Sequence, residues 1–273
     1  SRDYHIRPSL TLLNQGSNQH YIDNVLGKGS TEIPTDERDL GNSARLTDGT
    51  IDIGAYEYEA PLQPVVYVKA GLVNYENNDG SSWTKALEDL QGAIDLVGIY
   101  AHNHNHVDEN GYVFVSSNVT YTNQVRVSLP NVKVYGGMND ETSDIDYKNE
   151  DGSIDTGKVN SLVNDLLAKR KGLLEGTRFS TLAGNTTINA EGSVLDGFRI
   201  TGTPAINNGC LSTSIVQNTE GVNGQTTGLL YNTLVYGDVK VVKAVNVTAT
   251  GSIDNAPDGS ANNRANVTET NTY

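Results

Sequence analysis

Apolar positions along this chain come mostly in short alternating runs, and the runs are separated by Asn, Gly, Asp and Thr. Residues 65–68 form the first such run, followed by 112–115, 119–122, 125–129 and 132–135. The series resumes at 186–188, 194–200, 211–216, 229–235, 239–242 and 245–248. Runs of this length and alternation predict strands. Within 194–200, Val194, Phe198 and Ile200 are expected to face inward, and Asp196-Gly197 allows a bend. Two stretches follow the helical period instead. Trp83, Leu87, Leu90, Ile94 and Val97 are three or four residues apart and predict an amphipathic helix over 83–97. Val159, Leu162, Val163, Leu166 and Leu167 predict a second helix over 158–171. The first sixty residues are dominated by turn signals and end in a segment where Ile51 and Ile53 alternate with polar residues, as in a half-buried strand.

The later strands recur at intervals of roughly 10 to 20 residues, the spacing of solenoid coils. A two-sheet sandwich also has short strands. The runs lack tight two-residue hairpin signals and mix Val, Leu and Ile with Asn and Thr, which favours coils stacked in parallel. The fold expected is therefore all-β: a parallel β-helix, with the 83–97 helix covering its N-terminal end. Pro61 and Pro64 cannot donate to a ladder and favour extended backbone, so residues 61–64 read as a linker between segment 1–60 and a second unit, 65–273.

Charge narrows the partners. The 33 acidic residues outnumber 19 Lys and Arg, giving a formal charge of −14, which repels phosphate backbones and argues against nucleic acid. No apolar run approaches the ~20 residues a transmembrane helix needs. The chain begins at Ser1 and its single methionine is Met138, so a processed chain or a piece of a longer one is expected. A lone Cys210 excludes an internal disulfide framework, and a small buried hydrophobe is its expected role.

Family patterns are visible at this point. Asp3-Tyr4-His5-Ile6-Arg7-Pro8 with Leu13-Asn14-Gln15-Gly16-Ser17 resembles the penultimate segment of right-handed β-helix surface proteins from Bacteroidetes. Asp48-Gly49-Thr50-Ile51-Asp52-Ile53-Gly54-Ala55-Tyr56-Glu57-Tyr58 is similar to their closing motif. Ser9-Leu10-Thr11-Leu12 departs from the family, which usually has Ser-Pro-Ala-Ile there. The opening segment of such proteins is resembled later, by Val66-Tyr67-Val68-Lys69, Gly80-Ser81-Ser82-Trp83 and Val132-Lys133-Val134-Tyr135-Gly136-Gly137. Asp196-Gly197-Phe198-Arg199-Ile200-Thr201-Gly202 is similar to their first coil. Closing motif first and opening motif second is the order of a tandem array. The resemblance implies an extracellular, cell-surface location and assigns no activity.

Candidate chemistry is sparse. His102, His104 and His106 share one face if extended and would then offer three imidazoles to a metal, or else they lie in a solvated loop. Asn149, Asp151 and Asp155 resemble the centre of a calcium loop, but Tyr147 and Lys158 stand where its first Asp and bidentate Glu belong. Calcium is the one cofactor left open. No catalytic residue is assigned: Asp196, Arg199, Asp238, Lys240 and Lys243 are scattered singly, and Asp196 and Arg199 have opposite parity on one strand. The expected function is a non-catalytic structural or adhesive module that spaces or binds, with glycans or a host surface as partner. The alternative is a polysaccharide lyase or glycoside hydrolase on the same scaffold. Self-association through residues 1–60 is expected as well, because their apolar positions need a stack to bury against. The six residues Glu59–Pro64, which reach only ~20 Å, favour docking between chains.

Overall fold

Branched side chains lose little freedom in an extended backbone, so the Val, Ile and Thr runs of this chain settle as strands. In the computed structural model, the described residues are 16–27, 30–40, 42, 44–46, 50–54, 63–72, 78–102, 109–140, 146–170, 179–218, 220–254, 263–265 and 268–269. The chain divides into two units, residues 1–62 and 63–273. The second is mostly β. Its strands are Val65–Val68 (β1), Gly111–Ser116 (β2), Thr120–Tyr121 (β3), Val125–Val127 (β4), Val132–Met138 (β5) and Ser180–Leu182 (β6). Next come Thr186–Asp196 (β7), Phe198–Ile200 (β8), Pro204–Ser212 (β9), Ile215–Val216 (β10), Val222–Tyr231 (β11) and Leu234–Val235 (β12). Val239–Lys240 (β13), Lys243–Val245 (β14), Thr248–Ala249 (β15), Ile253–Asp254 (β16), Asn263–Ala265 (β17) and Thr268–Glu269 (β18) complete the series.

Pairing between these strands is parallel throughout and builds an eleven-stranded and a seven-stranded sheet. The larger sheet holds two columns. One runs through β4, the first halves of β7, β9 and β11, then β13 and β16. The other runs through β1, β2, β5, the second halves of β7, β9 and β11, then β14 and β17. The smaller sheet is a third column, β3-β6-β8-β10-β12-β15-β18. From β2 onward the chain visits the columns in one cyclic order.

Register places like beside like in the interior. Val66, Val113, Val134, Leu195, Leu211, Leu230 and Ala244 form one ladder, each 0% exposed. Leu182, Ile200, Val216, Val235 and Ala249 form another, equally buried, in the third column. Burying each such side chain is worth about 1.5–3 kcal/mol, so the stack, rather than any one strand, holds the fold.

Corners explain where the strand expectations fail. Gly197, Thr213, Asn232 and Asn246 have φ of +83°, +44°, +46° and +53°, a left-handed conformation natural to Gly and tolerated by Asn. Each lies between a strand of the second column and one of the third. The runs 194–200, 211–216, 229–235 and 245–248 are thus not single strands, and each bends at its corner. The bend shifts the phase of the side chains. Leu195, Phe198 and Ile200 point inward around the Gly197 corner, and Leu211, Ser214 and Val216 around the Thr213 corner. Val194, expected inside, is half-buried on the outer face, beside Lys133 and Cys210 in register.

The helix expected over 83–97 also resolves differently. A 3-10 turn at Trp83–Lys85 is followed by extended residues, and the α-helix is Leu90–His102. Leu87 is withheld from the helix because its backbone is engaged: its N–H donates to Tyr67 O and its carbonyl accepts from Lys69 N, both at 2.9 Å. This pairing satisfies the outer edge of β1. Gln91, in the first turn of Leu90–His102, does the same for β4: its amide accepts from Arg126 N at 2.7 Å and donates to Arg126 O at 3.0 Å. Edge backbone groups left bare invite association, and here a side chain mimics the missing strand. The helix passes so close to β2 that a Cβ on Gly111 would sit 2.4 Å from Val97 O. The second expected helix is Thr156–Ala168, with Asp155 accepting from Lys158 N as its N-cap. Its Val159, Leu162, Val163 and Leu166 pack with Trp83, Tyr67, Phe114 and Met138 on the outer side of β1, β2 and β5.

In the first unit, a short helix Asn18–Tyr21 (α1) runs into a π-helical turn, Ile22–Leu26. Among the described residues its core holds Ile22, Ile33 and Ile51, with Tyr21, Leu26 and Leu46 against them. Arg45 lies 5.0 Å over the Tyr21 ring and donates to Gly54 O at 2.8 Å. The strand expected near its end is not seen at 51–54, and Ile51 is buried while Ile53 is 48% exposed. Bends at Ile53 and Gly54, the latter with φ +133°, break the alternation; residues 55–60, and Leu10, Leu12 and Leu13, lie outside the described residues. The helices Leu90–His102 and Thr156–Ala168 of the second unit are α2 and α3 below.

Candidate functional site

The acidic loop before α3 is a compact hairpin, closed by an antiparallel bridge between Lys148 and Ile154. Its polar groups are turned on one another. Asp151 accepts from Ser153 Oγ at 2.6 Å and Ser153 N at 2.9 Å, which holds its carboxyl below the usual range. Asp155 is spent on capping α3. The Lys158 ammonium reaches Lys148 O at 3.1 Å, Asn149 Oδ1 at 3.4 Å and Asp155 Oδ2 at 3.9 Å. A cation of the protein itself thus stands among the oxygens of Asn149 and Asp155. Of the histidines, His102 is the exposed last residue of α2, and His104 and His106 fall outside the described residues. Among the described residues no group of three or more His, Cys, Asp or Glu is placed to hold a metal ion.

The charged residues of the strand series are not brought together. Asp196 and Arg199, expected on opposite faces of one strand, both face outward on different columns, because the Gly197 corner intervenes. Arg170, just past the end of α3, donates to Asp196 at 2.5 Å with both side chains nearly buried. This pair anchors the helix to the outer face of the stack, and nothing in the sequence pattern pointed to Arg170. Arg199 lies 5.5 Å over the Phe179 ring, and Lys243 lies 5.8 Å over Tyr231. Asp238 accepts from Ser252 N and Oγ, a contact beside the paired strands β13 and β16. Lys240 is exposed.

Around the Arg170–Asp196 pair the outer face is desolvated. Burial, then the Asp196 carboxylate, pushes the Tyr135 phenol up to about 12, against the opposing pull of Arg170. Burial lowers the Lys133 ammonium. The Cys210 thiol is pushed up to about 12, chiefly by burial and further by Asp196, and this keeps it protonated and unreactive at neutral pH. Cys210 is half-buried and in register with Val194 and Leu229 on the outer face, not inside the stack.

One concavity combines apolar walls with convergent polar groups. It lies between the end of α2, the start of β2 and the first turn of α3, and has a volume of about 160 Å³. Pro64, Tyr100, Tyr112 and Val159 are buried and form its apolar side. Glu109, Asn110, Thr156 and Asn160 supply the polar side. Tyr100 Oη donates to Glu109 Oε2 at 2.6 Å, and Tyr112 Oη donates to Asn160 Oδ1 at 3.3 Å. Burial and the Glu109 carboxylate raise the Tyr100 phenol far above its ordinary range, so it remains a donor. These residues come from four separate stretches of chain, and sequence reasoning missed them. The only local signal was Glu109-Asn110 set directly before a strand.

Comparison with protein-family models finds none that matches this chain, and comparisons with curated proteins and with solved structures likewise find no match. Among the described residues no helix is long and apolar enough to cross a membrane.

Proposed function

We propose that this chain is a right-handed parallel β-helix module of an extracellular, cell-surface protein, resembling those of Bacteroidetes, and that it spaces and binds glycans without catalysing their cleavage. The observation that carries the reading is the cyclic order of three parallel columns around registered apolar ladders. Parallel crossover connections are right-handed in nearly all proteins, which supports the hand proposed. Such a stack is stiff along its axis and presents long polar faces, properties that suit a spacer or an adhesin. Asp196, Arg199, Asp238 and Lys243 each have separate surroundings, Lys240 is exposed, and the two strand-series carboxylates, Asp196 and Asp238, make separate contacts instead of the facing pair a hydrolase needs. The test is a glycan array on the whole chain, run beside a turnover screen on uronate and neutral polysaccharides. Binding without release of unsaturated ends or new reducing ends is expected, and steady turnover would overturn the reading.

Residues 1–60 are proposed to associate with a second copy of the chain. Three of the four large apolar side chains exposed among the described residues lie in this unit: Val25 at 61%, Leu40 at 74% and Ile53 at 48%.

A further inference from the structure

The concavity between α2, β2 and α3 has the composition of a site for one small polyhydroxylated ring. Its volume of about 160 Å³ is close to the ~150 Å³ that accommodates a benzene-sized ring in an apolar cavity. A cavity meant only to be filled by water has no use for apolar walls, yet Tyr112, Pro64 and Val159 line this one. A cavity for a hydrocarbon has no use for the carboxylate and two carboxamides that also line it. A pyranose needs both. Its axial C–H groups form an apolar face, while its hydroxyls project from the edge as donors and acceptors.

Charge selects among pyranoses. Among the described residues Glu109 is the one carboxylate that lines the cavity, and no described Lys or Arg lines it. A carboxylate accepts strongly from hydroxyl donors and repels other anions. Tyr100 holds this carboxylate in place by donating to Oε2, and the raised phenol stays neutral there. Asn160 is an exposed residue of α3, where its amide can turn to a ligand without disturbing the helix cap at Asp155. We infer that this concavity binds the ring of a neutral hexopyranose, with Glu109 and Asn160 receiving its hydroxyls and Tyr112 its apolar face, and that it excludes uronates and sulfated sugars. The inference rests on the glycan-binding reading and names the sugar class and the place.

Saturation-transfer NMR on the whole chain tests it, with methyl glucoside, methyl galactoside, methyl mannoside and methyl glucuronoside as probes. Transfer to at least one neutral hexoside is expected, with binding of the glucuronoside at least about ten-fold weaker. Glu109→Gln and Asn160→Ala are each expected to weaken the neutral hexoside about ten-fold or more, the loss of one hydrogen bond to a charged or well-placed group. Asn160 is exposed, so its variant folds even where Glu109→Gln does not. Absence of transfer to every neutral hexoside, or Asn160→Ala binding as tightly as wild type, overturns the inference. A glycan array on the same proteins separates this outcome from failure of the wider reading. Array binding undiminished by both substitutions removes the concavity and leaves the adhesive function. Hexoside capture with a blank array removes the adhesive function and leaves the concavity.

Discussion

Replacing Arg170 by Met should loosen α3 from the β stack. The Arg170 Nη2 to Asp196 Oδ1 distance is 2.5 Å, and the two side chains are 11% and 12% exposed. An ion pair in open solvent contributes only about 0–1 kcal/mol. Nearly buried partners behave otherwise: removing one leaves the other charge desolvated and costs about 3–5 kcal/mol. Arg170→Met keeps the length and apolar stem of the side chain, so the loss isolates the charge. Replacing both residues, Arg170→Met with Asp196→Leu, removes the stranded carboxylate and should recover most of that loss. The molecule carries its own reporter. Trp83, the only tryptophan, packs in one cluster with Val159, Leu162, Val163 and Leu166 of α3. Urea titration followed by Trp83 fluorescence reads the helix and its support directly. With a slope of about 1–3 kcal/mol per molar urea, the single variant should lower the midpoint by at least about 1 M. A midpoint within about 0.3 M of wild type, or a double variant as weak as the single, would refute the reasoning and mean that solvent already screens the pair.

Thr213 is a β-branched residue held at φ +44° between two corners of similar conformation, and Thr213→Asn should raise the thermal midpoint by relieving strain of order 1 kcal/mol. Its new amide would also extend the Asn246 to Asn232 side-chain hydrogen bond of 3.0 Å by one coil, so an unchanged or lower midpoint counts against the corner account. Burial pushes the Tyr135 and Tyr147 phenols up to about 12 from an unfolded value near 10. Stability from these groups is therefore complete below about pH 10 and is lost as pH rises through 12, so phenolate absorbance should show a late class appearing together with unfolding. A single titration near pH 10 would contradict this. Deleting residues 1–60 should reduce the mass seen by light scattering at high protein concentration; a whole chain that is monomeric throughout removes the self-association proposal.

The runs that build the ladders were legible because alternation in Val, Leu and Ile reports directly on which face of a strand is buried. The helix at Thr156–Ala168 was legible for a similar reason: Val159, Leu162, Val163 and Leu166 keep one stripe, and the stripe is what packs. The helix at 83–97 was misplaced because Trp83 and Leu87 also fit a helical spacing, yet both are buried or half-buried outside α2. Periodicity cannot separate a helix from a strand edge when the competing hydrogen bonds, here between Leu87 and Tyr67, come from twenty residues away. Corners hid for a subtler reason. An inward residue recurs three positions after the last one, at Leu195 and Phe198 or Leu211 and Ser214, and the resulting string still reads as one extended run.

By itself the sequence determined the strand tendency of the second unit, the apolar identity of its ladders, the lack of an internal disulfide and the net negative charge. Each of these depends on residue type and on neighbours a few positions away. Tertiary structure alone decided that Asp196 meets Arg170, that Gln91 closes the edge of β4, and that Tyr100, Glu109, Tyr112 and Asn160 border one concavity. Those contacts join residues up to 60 positions apart, as from Tyr100 to Asn160, and they follow from the stacking register. Register is set by the summed burial of all the ladders at once, so no local stretch of sequence contains it.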